Sequence, residues 1–209
     1  MTSRAGSEPS TPSRRQQILD IAADLFAHRG FHGVSVADLG AACGISGPAL
    51  YKHFPSKDAV LAEMLVTISE RLLAEGTARV QSSSDAVSAI EALVEWHIEF
   101  ALEHRALIVV QDRDWSSLPD AARERVRSLQ REYVDVWADQ LKRAHRGLHT
   151  DRARAMAHAA FGLLNSTPHS GLIPDRQMHD LLREMALGAL RPPGPAGTGT
   201  SWGADRVEA

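Results

Sequence analysis

Apolar residues recur at helical spacing along nearly the whole chain, and no segment alternates as a half-buried strand does. The Val109-Val110 pair is too short to be a strand. That property leaves an all-α fold of about nine helices. The first predicted helix runs from Ser13 to His28, with Ile18, Ile21, Ala22, Leu25 and Phe26 on one stripe and Gly30 ending it. A short helix covers Val36 to Ala42. Ser35 and Asp38 before it have capping-box spacing, with Asp in place of the usual Glu. After a turn at Gly44, a third helix spans Gly47 to His53, capped by Ser46, with Pro48 in its first turn and Pro55 closing it. Ser56 caps a helix from Lys57 to about Ala78. The polar stretch Gln81 to Ser84 reads as a connector. Further helices are expected over Asp85–Glu103, Arg105–Gln111, Pro119–Arg146, Asn165 and the residues back to a Thr150 cap, and Asp175–Leu190.

The chain has 209 residues, 44% of them hydrophobic, enough for a small domain joined to a larger one. The expected division is a leader at 1–12, a small helical unit at 13–60, a bundle at 61–191 and a Pro/Gly/Thr-rich tail at 192–209. The leader has no apolar stretch that would make it a signal peptide, and no run reaches the ~20 residues that span a bilayer. No membrane contact is therefore expected. Cys43 is the sole cysteine, so an intrachain disulfide is impossible and a cytoplasmic setting fits. The formal net charge is −3, with residues 1–60 slightly positive. A chain that coats nucleic acid indiscriminately is usually strongly basic. Any DNA contact here belongs to a small local surface.

The segment from Ser35 to Phe54 has the makings of such a surface. Two short helices around a tight glycine turn form a helix-turn-helix when the second can enter the major groove. Leu39, Ala42, Ile45 and Leu50 can pin the pair together, with Phe54 also in the core. Ser46, Gly47, Pro48, Ala49, Lys52 and His53 face outward, and small residues at the helix start allow close approach to DNA. Tyr51, His53 and Lys57 can donate to phosphates. Backbone N–H groups near Ser35-Val36 and at Lys57 add anion contacts.

The run from Gly44 to Lys57, GISGPALYKHFPSK, closely resembles the DNA-binding signature of the TetR family of bacterial repressors. The resemblance extends back through Ile18, Ala22, Phe26, Gly30, Phe31, Ser35, Val36, Asp38 and Leu39, and covers roughly Ser13 to Leu65. It implies phosphate contacts from Tyr51, His53 and Lys57, and a groove-facing role for Ser46, Gly47, Pro48 and Lys52. It also implies that the bundle supplies dimerisation and a small-molecule effector site. The usual dimer face of such proteins is their last two long helices, which here offer Ala155, Ala159, Gly162, Leu163, Leu182 and Met185.

Effector-site candidates are polar or aromatic residues on otherwise apolar stripes: Trp96, His97, Phe100, His104, Gln111, Trp115, Tyr133, Trp137, Phe161 and Asn165. Together they suggest an apolar cavity with a few hydrogen-bonding groups. The C-terminal half vaguely resembles regulators of lipid or acyl-CoA breakdown, which implies a fatty acid or acyl-CoA effector. The expected function is a repressor, bound as a homodimer to a palindromic operator and released when an effector pushes the helix that begins at Lys57. A metal-responsive regulator and a helical binding protein with no regulatory role are the alternatives. No cofactor and no compact metal-ligand set is expected among the histidines. The sequence has no HExxH, nucleophile elbow, P-loop or GxGxxG, so catalysis is not expected.

Overall fold

The computed structural model describes residues 13–191, so the expected leader and tail lie outside the described residues. These residues form nine α-helices, two 3-10 turns and no strand. Helix α1 (Arg14–Arg29) is opened by the Ser13 hydroxyl, which accepts from the Gln16 N–H. It ends at Gly30, whose φ of 78° is strained for any side-chain-bearing residue. Helices α2 (Val36–Ala42) and α3 (Gly47–Leu50) follow, then the long α4 (Lys57–Ser82). The bundle continues with α5 (Ala86–Glu103), α6 (Arg105–Asp114), α7 (Asp120–Ala144), α8 (Thr150–Leu164) and α9 (Asp175–Leu190). The 3-10 turns are Trp115–Ser117 and Thr167–His169.

Several expected boundaries move, each for a local reason. Helix α3 stops at Leu50 rather than His53. The Lys52 and His53 N–H groups bond to Ala49 O and Leu50 O, three residues back, so the chain tightens into turns. Helix α4 runs through the expected connector as far as Ser82. The Ser82 hydroxyl bonds back to Ala78 O at 2.9 Å, which keeps it compatible with helix, and that of Ser83, the extended residue that ends α4, bonds to Arg79 O at 2.8 Å. Helix α7 ends at Ala144 instead of Arg146, and His145 Nε2 lies 2.9 Å from Leu190 O at the end of α9. Thr150 is the first residue of α8 and not its cap, since His149 holds that place without a side-chain bond.

Two apolar cores organise the helices. The first gathers Ile18, Ala22 and Phe26 of α1 with Phe31, Leu39, Leu50, Phe54 and the start of α4. Val110 of α6 and Val126 of α7 complete it from the bundle side. The second joins α5, α7, α8 and α9 around Leu93, Ile98, Trp137, Leu141, Leu164 and Leu182. Helix α4 serves both: Leu61 and Leu65 lie in the first core, while Leu72, Leu73 and Val80 pack against the second. The expected division at 60/61 therefore falls inside a continuous helix. Movement of α4 in one core is felt in the other, because packed helices transmit displacement.

Candidate nucleic-acid interface and effector site

The α2–α3 pair is held by caps and a close backbone approach. Ser35 and Asp38 close the predicted capping box: Asp38 N–H donates to Ser35 Oγ at 3.0 Å, and Ser35 N–H to Asp38 Oδ2 at 2.9 Å. The Ser35 hydroxyl, which also donates to Asp38 Oδ2, and then the Ser35 N–H hold the Asp38 carboxyl below its ordinary range. The Ser46 hydroxyl accepts from Ala49 N–H at 3.3 Å. Gly44 turns the chain with φ 65°. Gly40 lets α2 touch the start of α3, where a Cβ would stand 2.9 Å from Ile45 O. Cys43 is buried beneath the turn, and burial pushes its thiol up, away from thiolate.

This arrangement leaves Ser35, Ser46, Pro48, Tyr51 and Lys52 exposed, with Val36, Gly47, Ala49 and His53 half-buried. Tyr51 is 55% exposed, whereas Phe54, three residues on, is 1% exposed. The outward set is thus presented on one short helix and the turn after it, and Leu50 and Phe54 anchor it beneath. The Lys57 ammonium donates to Phe31 O and Val34 O, both at 2.7 Å, and sits 4.2 Å from the centre of the Phe31 ring. Two of its three protons therefore tie down the loop between α1 and α2, beside any phosphate contact of the third.

Three arginines that sequence reasoning missed support the interface. Arg14 donates to Cys43 O. Arg15 pairs with Glu63, donates to His53 O and lies 4.2 Å from the Phe54 ring centre, so α1 holds the end of the reader. Arg113 of α6 donates to Phe26 O, and to Ala27 O at 3.0 Å, while pairing with the buried Asp114 at 3.1 Å. It joins the bundle to the C-terminus of α1, where a cation is electrostatically favoured. Apart from Asp114, each of these partners is distant in sequence, and no spacing rule points to them.

In the bundle, part of the expected effector set comes together. The rings of His97, Tyr133 and Phe161 lie nearly parallel: His97–Phe161 centroids are 4.9 Å apart, Tyr133–Phe161 5.3 Å and His97–Tyr133 5.8 Å. Trp137 stands edge-on at 5.1 Å from Phe161, and Phe100 meets His97 at 6.0 Å. His97 Nε2 is 3.1 Å from Asn165 Oδ1. Burial lowers the His97 pKa from 6.5 to about 4, so the ring is neutral near pH 7.

Three buried polar atoms of this cluster have no hydrogen-bond partner: His97 Nδ1, the Tyr133 hydroxyl and Trp137 Nε1. Burial pushes the Tyr133 hydroxyl up, with only a partial offset from the neighbouring Trp137. Tyr133 also lies flat on α4. A Cβ at Gly76 would fall 2.6 Å from its ring, so the missing side chain there is what makes room for it.

The other candidates lie elsewhere. Trp96 faces α4, where its Nε1–H donates to Leu72 O at 3.3 Å and Arg79 covers its ring at 4.5 Å. Trp115 packs against the first core, and Gln111 is half-buried on α6. His104 lies at the α5–α6 corner beside Arg71 and Glu103. There it lines a cavity of about 420 Å³, with Leu19, Asp20, Met64, Ile68 and Arg71. No other candidate effector residue lines that cavity. Gln111 and Trp115 are thus set apart from the aromatic cluster, while Trp96 and His104 meet it only at its edge, through Phe100 at 6.3 Å and 5.1 Å.

On the outer face of α8 and α9, Ala155, Ala159 and Gly162 are exposed and Leu163 is half-buried. Met185 is 49% exposed and Leu181 43%. Leu182 points the other way, at 2% exposure within the second core, so it supports the face from beneath and is not part of it.

Residues 18–64 match the bacterial regulatory proteins of the tetR family, and residues 83–188 match the tetracyclin repressor-like C-terminal domain. The chain is similar to the HTH-type transcriptional repressor KstR2 of Rhodococcus jostii, 33% identical over 125 residues, or 59% of this chain and 61% of that protein. The chain thus spans under two thirds of the length of that relative. Among solved structures, a TetR-family transcriptional regulator from Bordetella parapertussis aligns with TM-score 0.74 and 26% identity, covering 85% of this chain and 95% of that one. FadR from Bacillus subtilis, solved in complex with stearoyl-CoA, shares the fold with TM-score 0.67 and 14% identity, over 83% of this chain and 98% of that one.

Proposed function

Because this chain belongs to the TetR family of bacterial regulatory proteins, we propose that it is a cytoplasmic repressor that binds a palindromic operator as a homodimer and leaves it when a small apolar effector binds. The observation that carries this reading is the contrast at the reader. Its inner residues Leu50 and Phe54 are buried, while Ser46, Pro48, Tyr51 and Lys52 stand exposed beside them. A single reader of this size contacts few base pairs. Two related by a twofold axis cover half-sites about one turn of DNA apart, ~34 Å, or a multiple of that. The small, partly apolar outer face of α8 and α9 is where the second copy would pack.

The groove-facing start of the reader, Ser46 to Ala49, carries no charge. Its specificity then rests on Lys52, close backbone approach and DNA shape. Release would run through α4. A ligand among the rings of α5, α7 and α8 displaces Tyr133, which bears on Gly76. The first turns of the same helix pack beneath the reader. A coupling of ~3 kcal/mol would weaken DNA binding ~150-fold. A fatty acid or an acyl-CoA fits the apolar surroundings, and the stearoyl-CoA complex of a relative with the same fold supports that choice.

The reading is tested by replacing Tyr51 and Lys52 together with Ala. Stability should change little, since both are exposed. Operator affinity should fall by roughly fivefold to about 150-fold, at ~1–3 kcal/mol for a lost base or phosphate contact. The dependence of affinity on salt should flatten by about one cation per half-site if Lys52 also neutralises phosphate. Unchanged affinity in titrations of the folded double variant would remove the reader assignment.

A further inference from the structure

The aromatic cluster of α5, α7 and α8 carries more chemistry than a packing role needs. Buried polar groups in folded proteins are nearly always hydrogen-bonded. Here three unbonded ones belong to rings that are mutual neighbours, with centroids 5.8 Å apart for His97–Tyr133, 6.0 Å for His97–Trp137 and 6.2 Å for Tyr133–Trp137. Their bonding capacities are fixed by the surroundings. Asn165 Oδ1 accepts from His97 Nε2, which leaves His97 Nδ1 as a bare acceptor. Trp137 Nε1–H can only donate, and the Tyr133 hydroxyl can do either. Apolar replacements would fill the same space without stranding three polar atoms.

We infer that these three atoms read one uncharged oxygen, a hydroxyl or a carbonyl, on an otherwise apolar effector. A ligand hydroxyl would accept from Trp137 or Tyr133 and donate to His97 Nδ1, and a carbonyl would take the two donors alone. This rests on the effector reading above and narrows it: an acyl thioester or an alcohol is admitted, and a free carboxylate is not. A buried carboxylate needs a cation or several donors to replace its hydration. Arg79 of α4, which lies over the Trp96 ring, is already paired with Glu75 at 3.2 Å and Glu99 at 3.4 Å. The approach is through Phe161, the half-buried outer ring of the stack, which neighbours the half-buried Asn165. Thr167, two residues after Asn165, is buried, its hydroxyl donating to Ala101 O at 2.7 Å.

The test uses the full chain and four probes that share one ten-carbon tail: 1-decanol, 2-decanone, decanoate and decylamine, near neutral pH. Affinities are measured by calorimetry, with thermal shift alongside. Decanol should bind tightest and decanone within about tenfold of it, while decanoate and decylamine should bind at least tenfold more weakly. Tyr133→Phe should weaken decanol binding about tenfold and leave the Tm of the unliganded protein unchanged or raised, because it removes a stranded hydroxyl. Decanoate binding as tightly as decanol overturns the inference, as does undiminished decanol affinity in the Tyr133→Phe variant. A Tm drop in that variant also counts against it, since the hydroxyl would then have a structural partner. Failure of all four probes to bind overturns it as well. The repressor reading is judged separately by operator binding in the same preparation.

Discussion

Phe54→Ala should lower the unfolding free energy by about 3–5 kcal/mol, the usual cost of emptying an aromatic site in a packed core. The Phe54 ring is sealed between the turn after α3 and the start of α4, at 1% exposure, with the Arg15 guanidinium 4.2 Å from its centre. Removing it also loosens the Arg15 link to His53 O and Glu63, so the end of the reader loses its support from α1. Operator binding should fail with it. Tyr51→Ala, three residues earlier and 55% exposed, should change stability by no more than about 0.5 kcal/mol. Urea denaturation of both variants checks the pair. Equal stabilities would mean that Phe54 does not anchor the reader.

Acid should destabilise the fold through His97. Its folded pKa of about 4 lies below the 6.5 of a free imidazole because burial disfavours the charged ring. Between those values the unfolded chain binds the proton and the folded chain does not, so stability rises with pH across that window. The contribution is fully present above pH ~6.5 and is lost as pH falls through ~4. At ~1.4 kcal/mol per pH unit the loss totals roughly 3 kcal/mol. Other groups titrate in the same range: burial also lowers the pKa of the half-buried His104, against the pull of Glu103. The difference between the wild type and His97→Gln isolates the His97 share. Denaturation from pH 7 to pH 4 should therefore show a steeper fall for the wild type. Parallel profiles would mean that His97 is hydrated or charged in the folded chain.

The fold was legible where local rules decide it. Ser35 with Asp38, Ser46 and Ser56 each cap the helix expected of them. The stripe at helical spacing marked the buried face of α1, with Ile18, Ala22 and Phe26 in the core. Local rules erred where a side chain had two options. Gln81 to Ser84 read as a connector, yet α4 continues through Gln81 and Ser82, and the hydroxyls of Ser82 and Ser83 bond backward along it. The turn at Tyr51 to His53 read as a further turn of helix.

The candidate sites divide along the same line. Exposure at Ser46, Pro48, Tyr51 and Lys52 followed from the helical phase of the reader. The bonds of Lys57 to two carbonyls in the loop after α1, and those of Arg15 and Arg113, span sequence distances that periodicity does not encode. In the bundle, His97, Tyr133, Trp137 and Phe161 meet because each lies on the inner side of its own helix. Trp96 and Trp115 were indistinguishable from them as aromatic residues on apolar stripes. Which neighbouring helix each stripe faces is a tertiary choice, made by the packing of α4 and of the first core.

The central claim is that this chain grips a specific DNA site as a dimer through the reader between Ser35 and Phe54. Its most direct test is a gel shift of the full chain on the DNA upstream of its own coding region, with the oligomeric state measured in the same buffer. The account predicts a discrete complex of one dimer per site, with an affinity on the order of nanomolar and resistant to excess unrelated DNA. A folded dimer that binds this DNA no better than unrelated DNA, even at about 50 mM salt, would contradict it.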